Sequence, residues 1–251
     1  MLLRDRVVIV TGAVRGIGAS IARVCASHGA AVVVNYANSA EKASGVVQQI
    51  AEGGGQAIAV KCDVRDEGEV QRLVAATLQR FGRLDGVVNN AIGGTQHGDF
   101  ANVQMSDYET AFDFGCRAIV HMTRAAREPM KAQGGGRIVN IVTELWNMAP
   151  GGWSVYMAGK GAMVGISRSL ACELGPDNIT VNMVAPGWMA DEKVDTSSDD
   201  SLHFAAAVPL RRHGSADEIG NACTFLLSDL ASYVTGAYLP VSGGRITQMG
   251  S

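Results

Sequence analysis

The segment Val7–Gly18 reads VVIVTGAVRGIG and joins a run of β-branched residues to a glycine-rich turn that opens a helix. Its three glycines allow a tight turn, close approach of a pyrophosphate and close packing of the helix on the strand. The helix N-terminus then directs unpaired N–H groups at the phosphates. This order of strand, turn and helix predicts the first unit of a dinucleotide-binding fold. The residues expected at the dinucleotide are Gly12, Val14, Arg15, Gly16, Ile17 and Gly18.

Outward from this segment, short apolar runs alternate with longer helical patterns. Most runs are continuous, as strands are when a parallel sheet is covered on both faces. The predicted strands are Val7–Val10, Ala31–Asn35, Ala57–Cys62, Gly86–Asn89, Arg137–Val142, Thr180–Val184 and Tyr238–Val241. The predicted helices span about residues 16–28, 39–52, 66–81, 106–131, 153–174 and 215–228. The alternation predicts an α/β fold, a single Rossmann domain over residues 1–251 with a doubly wound, parallel seven-stranded sheet and helices on both faces.

Composition and charge argue against several classes of protein. The chain has 251 residues, a net charge of −3 and 47% hydrophobic residues, enough for a sizeable core. A net charge this small and negative gives no electrostatic reason to expect binding to nucleic acid or to a membrane surface. No apolar run approaches the ~20 residues of a membrane span. Charges at residues 4–6 interrupt any signal-peptide core, so we expect a cytoplasmic protein. The five scattered cysteines have no metal-ligand spacing, so we expect reduced thiols and no metal.

The end of the second predicted strand bears on the choice between NAD(H) and NADP(H). An acidic residue there would hydrogen-bond the ribose 2′-hydroxyl of NAD and repel a 2′-phosphate. This chain instead has Asn35, Tyr36 and Ser39, while Arg15 projects from the glycine turn toward the same region. A cation with small hydroxyl and amide donors suits a phosphate. The sequence therefore favours NADP(H), and NAD(H) is the less favoured alternative.

Tyr156 and Lys160 form the candidate reaction centre. They lie four residues apart on a predicted helix and therefore share one face. A nearby ammonium favours the phenolate and lowers the pKa of a tyrosine, which can then exchange a proton with an alcohol oxygen. The spacing alone is common, and it becomes informative only downstream of the glycine turn.

These motifs together resemble the classical short-chain dehydrogenase/reductase family, and the chain looks similar to bacterial 3-oxoacyl-[acyl-carrier-protein] reductases. The resemblance covers essentially the whole chain: the TGxxxGxG turn is Thr11–Gly18, and the YxxxK pair is Tyr156 and Lys160. It implies that Asp63 contacts adenine and that this chain assembles as a homotetramer or homodimer, as family members usually do. The further cofactor contacts that it implies are Val64, Asn90, Ala91, Ile92, Tyr156, Lys160, Pro186, Gly187 and Met189.

The resemblance also implies a catalytic tetrad of Asn, Ser, Tyr and Lys, which this chain alters. The serine position is Thr143, which keeps a hydroxyl for a substrate carbonyl but adds a methyl group. The asparagine position is Gly115, which keeps only the main-chain carbonyl that holds a relay water in the family. The family's threonine that contacts the nicotinamide amide corresponds to Asp191.

The reaction implied is a reversible ketone–alcohol interconversion, in which Thr143 orients the carbonyl, Tyr156 donates the proton and Lys160 tunes the tyrosine and holds the nicotinamide ribose. The altered positions keep a second hypothesis open. In that hypothesis the chain binds the cofactor, turns over weakly or not at all, and has a regulatory or binding role.

Substrate identity is expected in the segments that border the nicotinamide, including a substrate-binding loop at about 186–212. Aromatic residues in these segments either line an apolar or aromatic ligand site or belong to the core and to subunit contacts. Glu144 is either a polar group of the site or a solvated loop residue. The other residues considered are His97, Trp146, Met148, Trp153, Trp188 and Met189; His97 fits a surface loop better than a substrate contact.

A carrier-bound substrate is less favoured than a free small ketone or alcohol. An acyl carrier protein is strongly acidic, so its reductase needs basic residues around the entrance. Two arginine positions of the reductases that this chain resembles are Gly134 and Asp177 here. A small apolar or aromatic carbonyl compound is therefore the expected substrate, and a 3-oxoacyl thioester is the alternative.

Overall fold

The computed structural model describes residues 1–93, 95–148, 150–190 and 194–245. The strands are β1 (Val7–Val10), β2 (Ala31–Tyr36), β3 (Gln56–Lys61), β4 (Gly86–Asn89), β5 (Gly136–Ile141), β6 (Ile179–Pro186), β7 (Met189–Ala190), β8 (Gly214–Ser215) and β9 (Tyr238–Val241). The α-helices are α1 (Gly16–Ser27), α2 (Ala40–Glu52), α3 (Glu67–Phe81), α4 (Met105–Phe112), α5 (Ala118–Ala132), α6 (Leu145–Met148), α7 (Ser154–Leu174), α8 (Asp199–Ala207) and α9 (Ala216–Leu227). A π-helical turn covers Asp113–Arg117, and 3₁₀ turns cover Phe100–Asn102, Gly175–Asp177 and Asp229–Ala231. Within the described ranges, no helix is long and apolar enough to cross a bilayer.

Seven strands form a parallel sheet in the order β3-β2-β1-β4-β5-β6-β9. Strands β1, β4, β5 and β6 are buried along their whole length, which explains why they read as continuous apolar runs. The order reverses between β1 and β4, and the loops beyond their carboxyl ends diverge to leave the crevice in which such sheets bind ligands. The predicted Rossmann-type α/β fold is confirmed, and the predicted strand boundaries hold within two residues.

Two apolar layers enclose the sheet. On one face, helices α1, α2 and α9 contribute side chains such as Ile21, Val46 and Leu226 to a buried cluster. On the other, α3, α5 and α7 contribute to a second cluster, with Leu73 and Met122 fully buried. Burial of apolar surface on both faces is the main favourable contribution to folding.

Two predicted segments differ from the structure. The helix expected at 106–131 is divided into α4, the π-helical turn Asp113–Arg117 and α5. The stretch 186–212, expected to be irregular, contains helix α8, and β7 pairs in parallel with β8 just beyond it. Helix α8 buries only Ser201 and Phe204 among its residues, so its sequence has no strong apolar stripe.

A buried carboxylate joins the starts of two central strands. Asp85, directly before β4, accepts the backbone N–H of Val7 at 2.8 Å and Arg83 Nε at 2.8 Å through Oδ2. Its Oδ1 accepts Arg83 Nη2 at 2.7 Å and Arg6 Nη1 at 3.5 Å. The carboxylate therefore satisfies a strand N–H and two guanidinium groups in one place, which offsets the cost of its burial.

We expect Asp85→Ala to lower the free energy of unfolding by about 2–3 kcal/mol, because it leaves a buried N–H and two cations without their acceptor. Asp229→Ala is the matched control, because Asp229 accepts the same Arg6 at 2.6 Å but is 76% exposed, against 4% for Asp85. The control should cost less than about 1 kcal/mol. Urea unfolding followed by circular dichroism measures both, and equal losses would contradict this assignment.

Candidate active site

The glycine turn is fastened to the loop that follows β4. The Thr11 hydroxyl accepts the backbone N–H groups of Asn90 at 2.9 Å and Ala91 at 3.0 Å. In return, the Asn90 amide donates to the carbonyl oxygens of Thr11 at 2.9 Å and Gly12 at 3.2 Å. These four hydrogen bonds position the turn relative to the strand that starts the other half of the sheet. The sequence analysis did not predict a role for the Thr11 side chain. A threonine directly before the first glycine of the turn was the pattern that could have indicated one.

Gly12 is required by both conformation and space. Its φ of 61° lies in the left-handed region, which a residue with a Cβ rarely adopts. An added Cβ would also lie 2.9 Å from the Cα of Ala91. Only glycine allows the turn to lie this close to the loop after β4.

The N-terminus of α1 fits a pyrophosphate. Arg15 occupies the N-cap with no side-chain capping bond, and the first turn of α1 carries no acidic residue. Its first N–H groups therefore have no intrahelical partner and are available to an anion. A cleft with a volume of about 290 Å³ lies against this turn. The residues that line it are Gly12, Arg15, Gly16, Ile17, Gly18, Asn90, Ile92, Ile141, Val142, Thr143, Tyr156, Lys160, Pro186 and Gly187.

The Asn35 side chain is committed inward, which corrects the expectation that it bonds a 2′-phosphate. It is buried, and its amide donates to the carbonyl oxygens of Cys62 at 2.9 Å and Val60 at 3.4 Å. Its Oδ1 accepts the N–H of Gly12 at 3.2 Å. Asn35 therefore holds β2, β3 and the glycine turn together, because a buried amide must satisfy its own hydrogen bonds first.

The carboxylate expected at adenine has a partner that sequence reasoning missed. Asp63 accepts Arg65 Nε at 2.9 Å and Nη2 at 2.6 Å. Hydrogen bonding to Arg65 lowers the pKa of Asp63. Arg65 also lies over the ring of Phe114, with Cζ 5.3 Å from its centroid. Val64, next to Asp63, is buried in the core, so only its main chain is accessible to a ligand.

The other predicted contacts lie around the cleft. Tyr36 packs against the core at the end of β2, and Ser39 occupies the N-cap of α2. Val14 lies with Arg15 along a groove between α1 and α2, and Met189 is buried in β7. Ala91 is half-buried beside Ile92 in a second, smaller cavity. The position of Asp191 lies outside the described residues.

Lys160 is buried in the middle of α7 and its Nζ donates to the carbonyl oxygen of Ile141 at 2.6 Å. Burial lowers the pKa of Lys160 to about 8, since the ammonium is harder to solvate than the neutral amine. Its Nζ lies 5.8 Å from the centroid of the Tyr156 ring. The Lys160 ammonium, which loses its proton as the pH rises through about 8, therefore lies directly beside Tyr156.

The Tyr156 phenol differs from the expectation that the ammonium lowers its pKa. Burial raises the pKa of Tyr156, while a hydrogen bond with the Thr143 side chain lowers it by less. Desolvation is the larger effect because the ring lies between the cleft and the core. Tyr156 is therefore a protonated donor at neutral pH, which suits the reductive direction.

Thr143 has two further hydrogen-bond partners besides Tyr156. Its carbonyl oxygen accepts the hydroxyl of Tyr238 at 2.7 Å. Its Oγ1 accepts the N–H of Leu145 at 3.2 Å. The hydroxyl hydrogen of Thr143 remains available for the Tyr156 oxygen or for a carbonyl placed between the two.

Gly115 lies where the π-helical turn meets α7. A Cβ at Gly115 would collide with the carbonyl oxygen of Gly159, so an asparagine does not fit without moving a helix. A Cβ at Gly159 would in turn lie 2.7 Å from the carbonyl oxygen of Ala111. The altered tetrad position is therefore a close contact between two helices. A cavity of about 10 Å³ next to Gly115 and Lys160 matches the lower limit for one water molecule.

Two aromatic groups border the reaction centre. Trp153 contacts the edge of Tyr156 at 5.7 Å between ring centroids, and His97 stacks on Trp153 at 4.8 Å. Trp188 follows Gly187 and contacts Phe204 of α8 at 5.1 Å. With 39% of its surface exposed, Trp188 is accessible to a ligand.

The remaining predicted pocket residues divide differently. Trp146 covers Gly161 on the surface of α7, where a Cβ would lie 2.6 Å from the indole. Met148 is the last residue of α6, two positions after Trp146. Glu144 is buried rather than solvated, which excludes the loop alternative. Among the described residues, no group of three or more His, Cys, Asp and Glu could hold a metal ion.

Comparisons with known proteins agree with these motifs. Residues 12–245 match the family described as Enoyl-(Acyl carrier protein) reductase. The chain is similar to an uncharacterized oxidoreductase of Methylorubrum extorquens, with 40% identity over 246 residues, 96% of this chain and 98% of that protein. It is 37% identical over 246 residues to a 3-oxoacyl-[acyl-carrier-protein] reductase of Synechocystis sp., covering 97% of this chain and 98% of that protein. A solved short chain dehydrogenase from Burkholderia cenocepacia in complex with NADP is 32% identical, with a TM-score of 0.90 over 98% of this chain and 99% of that chain.

The contact at Gly115 predicts a local cost for any side chain there. We expect Gly115→Ala to lower the free energy of unfolding by about 1–3 kcal/mol, because the methyl group forces the π-helical turn away from Gly159. Gly45→Ala on α2 is the matched control, since nothing lies within 4 Å of an added Cβ there. The control should be neutral or stabilising by up to about 1 kcal/mol. Thermal and urea unfolding measure both, and an undisturbed Gly115→Ala protein would refute the close contact.

Proposed function

Because the chain belongs to the classical short-chain dehydrogenase/reductase family, we propose that it interconverts a ketone and a secondary alcohol with NADP(H) as the hydride carrier. The observation that carries the proposal is that Thr143, Tyr156 and Lys160 line the same cleft as the glycine turn. That juxtaposition brings a proton donor to the phosphate-binding crevice, which is what hydride transfer to a carbonyl requires.

The residues of the cleft divide the work of reduction. When bound, the nicotinamide ring supplies the hydride to the carbonyl carbon. Tyr156 donates its hydroxyl proton to the carbonyl oxygen, and the Thr143 hydroxyl hydrogen-bonds the same oxygen. The Lys160 ammonium stabilises the phenolate that remains, and Tyr156 regains a proton by way of Lys160 and the small cavity beside Gly115. Oxidation of an alcohol runs through the same groups in reverse.

The preference for NADP(H) is supported by charge. Arg15 is exposed at the turn, and the groove beside it also carries Arg23 and Lys42. The residues after β2 include no carboxylate before Glu41. A 2′-phosphate would meet cations and the N-terminal turn of α2. NAD(H) is the second candidate, and the ratio of the two dissociation constants tests the preference.

The proposed substrate is a small apolar or aromatic carbonyl compound. Trp153 and Trp188 border the centre, and such rings bind apolar and aromatic ligands. The charges at one position where the resemblance predicts a carrier-binding arginine favour a free substrate over a carrier-bound one. Asp177 there pairs with Arg127 at 2.7 Å and with Lys131 at 2.9 Å. A 3-oxoacyl thioester is the second candidate, because the relative from Synechocystis is named for one.

The decisive experiment is Tyr156→Phe, tested with NADPH and a panel of ketones. We expect turnover to fall by at least ~100-fold because the proton donor is removed, while the dissociation constant for NADPH, followed by fluorescence, stays within about twofold. Tyr233→Phe is the control, because Tyr233 is fully exposed. Unchanged turnover in Tyr156→Phe would overturn the role of Tyr156. NADPH binding by the wild type without turnover of any ketone would favour the hypothesis that the chain binds the cofactor but does not catalyse. The glycine at the altered tetrad position, Gly115, is the observation that raises that hypothesis.

The buried Lys160 predicts opposite pH dependences for the two directions. Reduction needs the protonated phenol and the ammonium, so its kcat should fall as pH rises through about 8, where Lys160 loses its proton. Oxidation passes the alcohol proton through Tyr156 to Lys160, which can accept it only as the neutral amine, so the kcat for oxidation should rise over the same range. Lys160→Arg keeps its charge in this range, so its residual reduction should lack the fall near pH 8. Reduction that is flat across this value in the wild type would contradict the assignment.

A further inference from the structure

A charged side chain that the proposed reaction does not use lies directly behind the reaction centre. Glu144 follows Thr143 in the chain, and 1% of its surface is exposed. Burial raises the pKa of its carboxyl, while Arg245 and Ser242 beside it lower that pKa. Because burying a carboxylate is costly unless it is paired, its partner indicates what the residue does.

The partner comes from the far end of the chain. Arg245 Nη1 donates to Glu144 Oε1 at 3.0 Å across 101 positions of sequence. The other oxygen, Oε2, lies under the cleft wall, where a Cβ on Gly187 would be 3.1 Å from it. Ser242 lies beside the same carboxyl and meets the same position of Gly187. The ion pair therefore lies immediately behind the wall that carries Gly187.

Arg245 connects this carboxylate to helix α8, whose Phe204 contacts Trp188 next to the cleft residue Gly187. Its guanidinium carbon lies 4.5 Å from the centroid of the Phe204 ring on α8. His213 stacks on Phe204 with 4.8 Å between ring centroids, and Trp188 contacts these two rings at 5.1 and 5.0 Å. A cation over an aromatic face is attractive, more so when partly desolvated. Glu144, Arg245 and Phe204 thus form a continuous chain of contacts from the Thr143 loop to α8.

We infer that the Glu144–Arg245 ion pair fastens the segment 199–213 against the reaction centre, and that both residues are positioning residues for substrate binding. The kinetic part of this inference rests on the proposed function. Thr143 has separate supports, because Tyr238 holds its carbonyl oxygen at 2.7 Å and the N–H of Glu144 bonds Pro186 at 3.0 Å. Removing the Glu144 charge therefore loosens segment 199–213 and leaves the Thr143 hydroxyl in place.

The first test measures the segment itself and needs no turnover. In a background where Trp146 and Trp153 are replaced by Phe, Trp188 is the remaining tryptophan. Glu144→Gln and Arg245→Met should each raise acrylamide quenching of Trp188 by roughly twofold, because the segment opens more often. Tryptic cleavage after the exposed Arg211 should accelerate in parallel. Arg127→Gln, which breaks the remote pair with Asp177, is the matched control and should change neither.

The second test separates positioning from general destabilisation. The KM for a ketone should rise roughly five- to tenfold in Glu144→Gln and Arg245→Met, the size of one lost charge-assisted contact. Their kcat and the dissociation constant for NADPH should stay within about twofold. The double variant should be no worse than either single one, because both remove the same interaction. Arg245→Lys should restore part of the KM, since it keeps the cation.

The outcomes decide between the two proposals. Unchanged quenching and cleavage in variants that melt like the wild type would overturn the fastening, whatever the kinetics. A wild type with no turnover of any ketone would overturn the proposed function, and the quenching and cleavage would still decide the fastening. If Glu144→Gln does not fold, Arg245→Met and Arg245→Lys carry the same measurements, because Arg245 is partly exposed and leaves no large cavity.

Discussion

The reciprocal hydrogen bonds between the glycine turn and the loop after β4 are the constraint on which the site depends. The Thr11 hydroxyl accepts two backbone N–H groups of that loop, and the Asn90 amide bonds the carbonyl oxygens of the turn. They bridge the point where the strand order reverses, so they join the two halves of the sheet at the crevice. They thereby position the phosphate-binding turn relative to the loop after β4, whose Asn90 and Ile92 line the same cleft as Tyr156 and Lys160.

Burial then adapts the reaction centre to its chemistry. Lys160 is enclosed in α7, where its Nζ donates to the carbonyl oxygen of Ile141 at 2.6 Å, and its pKa is lowered to about 8. The same enclosure keeps the Tyr156 phenol protonated, so the pair favours donation of a proton at neutral pH. Close packing of Gly115 on Gly159 makes this enclosure tight, and it excludes a side chain at the position where the resemblance to the family predicts asparagine. The close packing of the π-helical turn on α7 therefore accounts for the glycine at the altered tetrad position.

Segment 199–213 has a different kind of support from the sheet. Its Phe204 ring contacts Trp188 and Arg245, and Arg245 pairs with the buried Glu144. The segment is also joined to its surroundings by the backbone hydrogen bond from Leu210 to Gly243 and by the ion pair of Arg212 with Glu218. The sheet is instead covered by continuous apolar layers, and a segment held by separate polar and aromatic contacts opens more readily than such a core.

The sequence by itself determined the strand and helix order, the glycine turn and the pair Tyr156 and Lys160. Each of these depends on local patterns of apolar residues, glycines and spacing, which a single segment carries. Only the tertiary structure decided that Asn35 turns inward, that Gly115 abuts Gly159 and that Glu144 pairs with Arg245. These partners lie 27, 44 and 101 positions apart in the chain. A buried amide or carboxylate contributes to the fold when a distant group already satisfies its hydrogen bonds, and a glycine does so when a distant group leaves no room for a Cβ. Which distant group comes close depends on tertiary packing.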